Sequence, residues 1–292
     1  MSLRGVSVVA TPGAVALQIA TRDTPRLHFP PPKPTVRPLE DEVETLAELL
    51  NESKKITILG GAGCAGAHSE LILLAGKLNA PIGHALRGKE FIEYDNPFDV
   101  GMTGLLGFSS GYYAMMDCDL LLMIGTDFPY EQFFPKTAKV VQIDIRGEQL
   151  GRRTKVDYGF VGDTKATLSA LLPKLKQNAD KGHLKASLEH YQKAREGLDE
   201  LATPSSGDKL IHPQYVVKVL DELAAQDAIF SCDVDAPTIW AARYLRMTGQ
   251  RRLLGSFNHG SMANALPQAI GAQASHPNRQ VVALSGDGGS RC

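Results

Sequence analysis

The chain lacks an excess of either charge: its 31 Lys and Arg stand against 32 Asp and Glu, a formal net charge of −1. That balance gives no long-range pull toward nucleic acid or an anionic membrane surface, so any anionic ligand must be held by local groups. Cysteine is scarce and scattered. Cys64, Cys118, Cys232 and Cys292 form no C-x-x-C pair and have no closely spaced His, which argues against a zinc site and fits buried or idle thiols in a reducing compartment. Long apolar runs are missing too, since none approaches the roughly 20 residues of a membrane-spanning helix. The apolar start, MSLRGVSVVATPGAVALQIA, is broken by Pro12-Gly13 and diluted by Thr11 and Gln18, so it reads as strand, turn and strand rather than as a signal peptide. The expected location is the cytoplasm.

What is there is an ordinary globular composition, 43% hydrophobic and 22% charged, in 292 residues. That length allows about two domains with sizeable cores. Prolines cluster at Pro25, Pro30, Pro31, Pro32, Pro34 and Pro38, a stiff, extended linker at a domain boundary. PLEDEVETLAELLNES then opens on Pro38, puts acids in its first turn and repeats Val43, Leu46, Leu49 and Leu50 at helical spacing. Strand-like runs (KITILGG, PIGHAL, AKVVQIDI) alternate with helical ones, the pattern of a parallel sheet with helices on both faces. A polar, helical stretch from Lys174 to Leu201 and a flexible ATPSSGDK segment lead to a second α/β unit with three strands, AIFSCDV, RRLLGSF and QVVALSGDG.

Glycine marks the candidate sites. GGAGCAGAH holds G-x-G-x-x-G at Gly61, Gly63 and Gly66 between a strand and a helix, where backbone can approach a pyrophosphate. A tight turn with no ligand is the alternative. Two further loops, GMTGLLGFSSG and GTDFPYEQ, could lay amides along an extended dinucleotide with Phe128 and Tyr130 against its rings, or could be ordinary loops and core aromatics. Asp144, closing a strand, is the ribose candidate. In the second unit, a Gly-Asp-Gly turn leaving a buried strand places Asp287 beside the amides of Gly288 and Gly289, a set suited to Mg²⁺ bridging to a diphosphate, or to a plain turn. His259, beside Asn258, reads as structural before catalytic. No Ser/His/Asp spacing and no pair of carboxylates stands out, so the hard chemistry falls to a cofactor.

At these residues the chain resembles a known family. HALRGKE, EYDNPFDVGMTGLLGFSSG, GTDFPY, WAARYL and GSFNHGSMANALPQAIGAQ are similar to the thiamine-diphosphate- and FAD-dependent pyruvate dehydrogenase (quinone), or pyruvate oxidase, family. The resemblance implies an α/β fold: a parallel-sheet, Rossmann-like central FAD-binding domain plus an incomplete α/β thiamine-diphosphate-binding domain. It divides the chain into a remnant of a pyrimidine-binding domain at 1–24, a Pro-rich linker at 25–38, the central domain at 39–182, a helical connector at 183–204 and the first half of the diphosphate-binding domain at 205–292. Carried over, Thr103, Gly104, Leu105, Leu106, Thr126, Asp127, Phe128, Pro129, Tyr130 and Asp144 match stretches that contact FAD. Gly260, Ser261 and Met262 match the segment that holds the aminopyrimidine, Asp287 a Mg²⁺ ligand, and Gly288 and Gly289 diphosphate contacts.

The implied activity is oxidative decarboxylation of pyruvate to acetate and CO₂, with electrons passing through FAD to a quinone, in a homo-oligomer. The family's proton-abstracting glutamate lies in the pyrimidine-binding domain, so no catalytic residue is assigned in this chain, which is expected to be inactive alone. A stand-alone FAD- or nucleotide-binding module and an acetolactate-synthase-like carboligase fragment are the alternatives. The chain departs from the family at Asp235, where glycine is usual, and a carboxylate there repels a diphosphate unless turned away or paired. It also departs at Ser290-Arg291-Cys292, which reads as a frameshifted form of the family's Phe-Ser-Met.

Overall fold

The structure is a computed structural model that describes residues 10–19, 34–205 and 210–289. Cys292 and the Ser290-Arg291-Cys292 ending lie outside those residues, as do the first expected strand and most of the proline-rich linker. The second expected strand is corrected: Gly13–Ala16 is a one-turn helix, α1, exposed throughout. Its backbone closes locally, Val15 N donating to Pro12 O at 2.9 Å and Leu17 N to Gly13 O at 3.1 Å, because among the described residues no strand lies beside it to pair.

The first unit runs α2 (Glu40–Glu52), β1 (Ile56–Gly60), α3 (His68–Leu78), β2 (Ile82–His84), α4 (Lys89–Ile92), β3 (Asp99–Met102), α5 (Ser109–Met116), β4 (Leu120–Ile124), β5 (Lys139–Asp144), β6 (Tyr158–Val161) and α6 (Thr164–Leu171). The α2 start is set by Glu42, whose carboxylate accepts from Leu39 N at 2.8 Å, and the α6 start by Asp163, which accepts from Ala166 N at 2.9 Å. The sheet order is β3-β2-β1-β4-β5-β6, every neighbouring pair parallel. This is the doubly wound order whose crevice opens at the carboxyl ends of the two strands where the winding reverses, here β1 and β4.

Central strands covered on both faces are apolar at nearly every position, and a polar residue among them, here Thr57, must find a bond, which its hydroxyl makes to Ala114 O at 2.6 Å. β1 and β4, ITILG and LLLMI, are buried at all positions. Alternate residues feed two cores: Ile58, Leu122 and Ile143 join Leu46, Leu50, Leu71 and Leu74 on one face, while Leu59, Leu121 and Met123 join Met115 and Val140 on the other. Each buried Leu or Ile contributes about 1.5–3 kcal/mol.

Of the polar stretch from Lys174 to Leu201 expected to be helical, only α7 (Gly182–Leu201) is α-helix, 20 residues long; residues 175–181 are irregular. It is docked rather than free: it packs on α5 and β3, with Tyr191 edge-on to Phe108 at 5.4 Å. The second unit follows as α8 (Pro213–Leu223), β7 (Ile229–Cys232), α9 (Ala236–Tyr244), β8 (Arg252–Gly255), α10 (Ala265–Ser275) and β9 (Val281–Leu284). Its three strands are parallel in the order β8-β7-β9. α9 leads out to β8 and α10 returns across β7 to β9, so right-handed crossovers put the two helices on opposite faces and open a second crevice at the end of β7. β7 is buried throughout, whereas β9, an edge strand, is only partly covered.

Polar bonds join the units. Glu90 accepts from Arg252 Nε at 2.8 Å and Leu253 N at 3.3 Å, Glu93 accepts from Met247 N at 2.7 Å, and Arg243 Nε donates to Leu106 O at 3.1 Å. Among the described residues no helix is long and apolar enough to cross a membrane.

Candidate functional site

The first crevice gathers the loops after β1, β3, β4 and β5. Gly61 and Gly63 sit against the β4 loop, with Gly63 N donating to Gly125 O at 2.9 Å and a Cβ at Gly63 falling 2.6 Å from Gly125 Cα. These two glycines therefore serve backbone-to-backbone packing, and the G-x-G-x-x-G pattern is met here by loop contact. Gly66, at φ 80°, has open space around it. The other two loops do meet: a Cβ at Gly104 would lie 3.1 Å from both Phe128 and Tyr130. Leu105 is exposed and Leu106 half-buried.

The side chains of these loops divide by role. Phe128 is buried in an aromatic cluster with Tyr130, Phe133 and Phe134, the core-aromatic alternative for that ring. Pro129 is exposed beside it. Asp127 is engaged by Arg153 through two bonds of 2.8 and 3.0 Å, and that guanidinium holds its carboxyl below the usual range. Asp144 is buried at the end of β5, where desolvation raises its carboxyl, and it accepts from Arg146 N at 2.9 Å. Thr103 and Thr126 are buried, and the Thr103 hydroxyl has no hydrogen-bond partner among the described residues. An orphaned hydroxyl beside two converging loops fits a bound dinucleotide-type group such as FAD, because a buried unpaired polar atom costs about 1–3 kcal/mol.

The second crevice is organised by Asp233, which sequence reasoning passed over in favour of Asp235. Asp233 is buried at the end of β7 and accepts from Ala265 N at 2.9 Å and Ser285 Oγ at 2.5 Å, tying the start of α10 and the Gly-Asp-Gly turn to the central strand. A Cβ at Gly289 would collide with its Oδ2, so a side chain there would have to displace the Asp233 carboxylate from its bonds. Gly288 faces Met262, whose Cε lies 3.5 Å from where a Cβ would be. The Gly260–Met262 loop and the Asp287–Gly289 turn are thus brought together around one acid. Asp235 is exposed, at φ 70° and ψ −133°, with no cap bond to α9.

A cleft of about 480 Å³ opens beside the Gly260–Met262 loop, lined by Arg87, Phe257, Asn258, Ser261, Asn264 and Gln268 among others. Asn264 Nδ2 donates to Ser261 O at 2.7 Å, and its buried Oδ1 has no hydrogen-bond partner among the described residues; Gln268 Oε1 is in the same state. Two orphan acceptors fit a ligand that donates N–H groups, as an aminopyrimidine does. Among the described residues no three His, Cys, Asp or Glu side chains gather as a metal cage. A Mg²⁺ at Asp287 would take its other oxygens from backbone and from a diphosphate, which suits that ion.

Two further sets of titratable residues are buried. His84 Nε2 stands 3.6 Å from Asp99 Oδ1 and 4.0 Å from Glu93, which Lys89 also pairs. Cys64, Cys118 and Cys232 are free and buried, and desolvation pushes their thiols up to about 12, 12 and 11, so they are the idle thiols their spacing suggested.

The fold defines a two-unit α/β chain with a crevice at the carboxyl end of each parallel sheet. Residues 43–171 match the thiamine pyrophosphate enzyme central domain and residues 233–291 the C-terminal thiamine pyrophosphate binding domain. The chain belongs, at the level of the superfamily, to the thiamine pyrophosphate enzymes. It is 57% identical over 209 residues to an uncharacterized 42.6 kDa protein of Pseudomonas amyloderamosa, covering 71% of this chain and 52% of that one. It is 35% identical over 254 residues to a provisionally named thiamine pyrophosphate-containing protein, YdaP, of Bacillus subtilis (strain 168), covering 87% and 44%. It is 32% identical over 278 residues to the acetolactate synthase large subunit of Cyanidium caldarium, covering 91% and 47%. The chain spans about half the length of these relatives.

Proposed function

We propose that this chain is the FAD- and thiamine-diphosphate-holding portion of a pyruvate:quinone oxidoreductase, which decarboxylates pyruvate oxidatively to acetate and CO₂. The observation that carries the reading is the convergence of Asp233, the Gly260–Met262 loop and the Asp287–Gly289 turn at the carboxyl ends of three parallel strands. Thiamine diphosphate, when bound, supplies the carbanion-stabilising chemistry. The protein's part is placement: Asp287 would meet Mg²⁺, Gly288 and Gly289 would present amides to the diphosphate, and Asn264 and Gln268 would accept N–H groups in the cleft. Thr103, Gly104 and Thr126 would hold FAD at the first crevice, with Asp144 toward its ribose.

A second reading, carboligation of pyruvate to acetolactate, is favoured by the named acetolactate synthase relative and would use the same two crevices. Calorimetric titration of the full chain with thiamine diphosphate and Mg²⁺, and fluorescence titration with FAD, test the sites: saturable uptake of both is expected, and uptake of neither overturns the proposal. In the whole protein, acetate with a reduced quinone supports the oxidase and acetolactate supports the carboligase.

A further inference from the structure

The cleft of the second unit contains one cation that the cofactor reading leaves unused. Arg87 reaches it from the other unit, out of the tight turn Leu86–Gly88 that follows β2. That turn is fixed in place: Ala85 N donates to Gly60 O at 3.0 Å and Gly88 N to Ala85 O at 2.8 Å, so the guanidinium springs from a rigid base at the end of β1. The nearby acids are already spoken for, Glu93 by Lys89 and Glu90 by Arg252. Arg87 has no ion-pair partner among the described residues, and the cleft lining includes no Asp or Glu.

An uncompensated guanidinium opposite the hydroxyls and amides of Ser256, Asn258, Ser261, Asn264 and Gln268, with His259 as the one other titratable group in the lining, leaves the cleft net positive. Such a site selects an anion, and the planar fork of Arg matches a carboxylate through two parallel bonds. The volume, about 480 Å³, leaves room for a small acid next to a larger group on the Asn264 side.

We propose that Arg87 is the specificity-determining residue of this cleft, taking the carboxylate of a small 2-oxo acid and presenting its carbonyl carbon toward the Gly260–Met262 loop. The inference rests on the thiamine-diphosphate reading for what lies beside the acid, and on Arg87 alone for the acid itself.

Ligand-observed NMR titration of the full chain with pyruvate and with neutral methyl pyruvate tests it, in the wild type, Arg87→Gln and Arg87→Lys. Pyruvate is expected to bind and the ester not. Arg87→Gln should weaken pyruvate by about tenfold or more, since a hydrogen bond to a charged group is lost, and Arg87→Lys should restore part of it. The thermal midpoint should stay unchanged in both variants, because the Arg87 side chain is exposed and unpaired. Equal pyruvate affinity in wild type and Arg87→Gln, equal binding of acid and ester, no pyruvate binding by the wild type, or displacement of pyruvate by inorganic phosphate at equal concentration would each overturn the proposal. Thiamine diphosphate titrated against the same three proteins keeps the two readings apart. A wild type that takes pyruvate through Arg87 but no thiamine diphosphate sinks the cofactor reading and leaves this one standing, and the converse sinks this one alone.

Discussion

Asp235 stands at φ 70°, where a side chain is strained and glycine is not. It makes no cap bond to α9 in exchange. Asp235→Gly is expected to stabilise the second unit by about 1 kcal/mol, the relief of strain exceeding the added entropy of the unfolded chain. Differential scanning calorimetry reads it as a rise in Tm; an unchanged or lower Tm contradicts the strain. The buried pair Asp99 and His84 gives a second prediction. Burial raises Asp99 to about 7 and lowers His84 to about 4, with Glu93, Lys89 and Tyr191 as the charged or titratable neighbours. Below about 7 the folded state keeps a proton on Asp99 that the unfolded chain gives up, so that contribution is present at low pH and lost as pH rises. His84 acts the other way: the unfolded imidazole takes a proton below 6.5 that the folded one refuses, so stability is lost as pH falls toward about 4. The two slopes oppose each other between those values. Asp99→Asn removes the first, and its urea midpoint, relative to wild type, should climb with pH from about 4.5 to 6.5; parallel profiles would count against this assignment.

Among the elements, the junction of α8 with β8 depends on one buried ion pair. Arg251 NH1 lies 2.6 Å from Asp221 Oδ1, both side chains almost wholly buried, and the same guanidinium donates to the carbonyls of Asp221, Ala224 and Ala225. Removing one partner of a buried pair costs about 3–5 kcal/mol when the other is left alone; here Arg246 Nε still holds Asp221 Oδ2 at 2.6 Å, so the loss should be smaller, set by the buried carbonyls that lose their donor. Arg251→Leu should therefore lower the urea midpoint of the second unit, followed by the fluorescence of Trp240, the one tryptophan of the chain. A midpoint within error of wild type would show that the pair contributes nothing net. α10 behaves differently: Leu266 and Ile270, one turn apart, are 54% and 62% exposed beside the edge strand β9. An uncovered apolar stripe next to an unpaired strand edge seeks a partner.

For the whole molecule, that face predicts self-association. Light scattering of the chain at micromolar concentration should give a mass above the monomer's, lowered by Ile270→Lys; a clean monomer in the wild type would contradict it. The same scale holds the coupling between sites. Arg243 on α9 grips the Leu106 carbonyl, and Arg195 on α7 grips that of Arg243 at 2.5 Å, so the loop of the first crevice is tied to the unit carrying the second.

Much of this was readable along the chain because it depends on neighbours in sequence. The helical spacing of Val43, Leu46, Leu49 and Leu50, the largely apolar runs of β1 and β4, the three strands of the second unit and the idle cysteines all follow from local pattern and composition. β3 was hidden inside a glycine-rich loop, since four residues paired at one edge leave too short a periodicity to see. Gly61 and Gly63 look alike whether they face a pyrophosphate or Gly125, and only the pairing of β1 with β4, far apart in the chain, makes them a packing contact. Asp233 and Asp235 are likewise two acids in one short string; the strand order buries the first among the amides of α10 and leaves the second outside in a strained turn. Arg87 meets the second cleft through contacts more than 150 residues away in sequence, between Glu90 and Arg252. Periodicity and composition act over a few residues and so name the elements, whereas a site is made by the order in which distant strands pair, which no local pattern encodes.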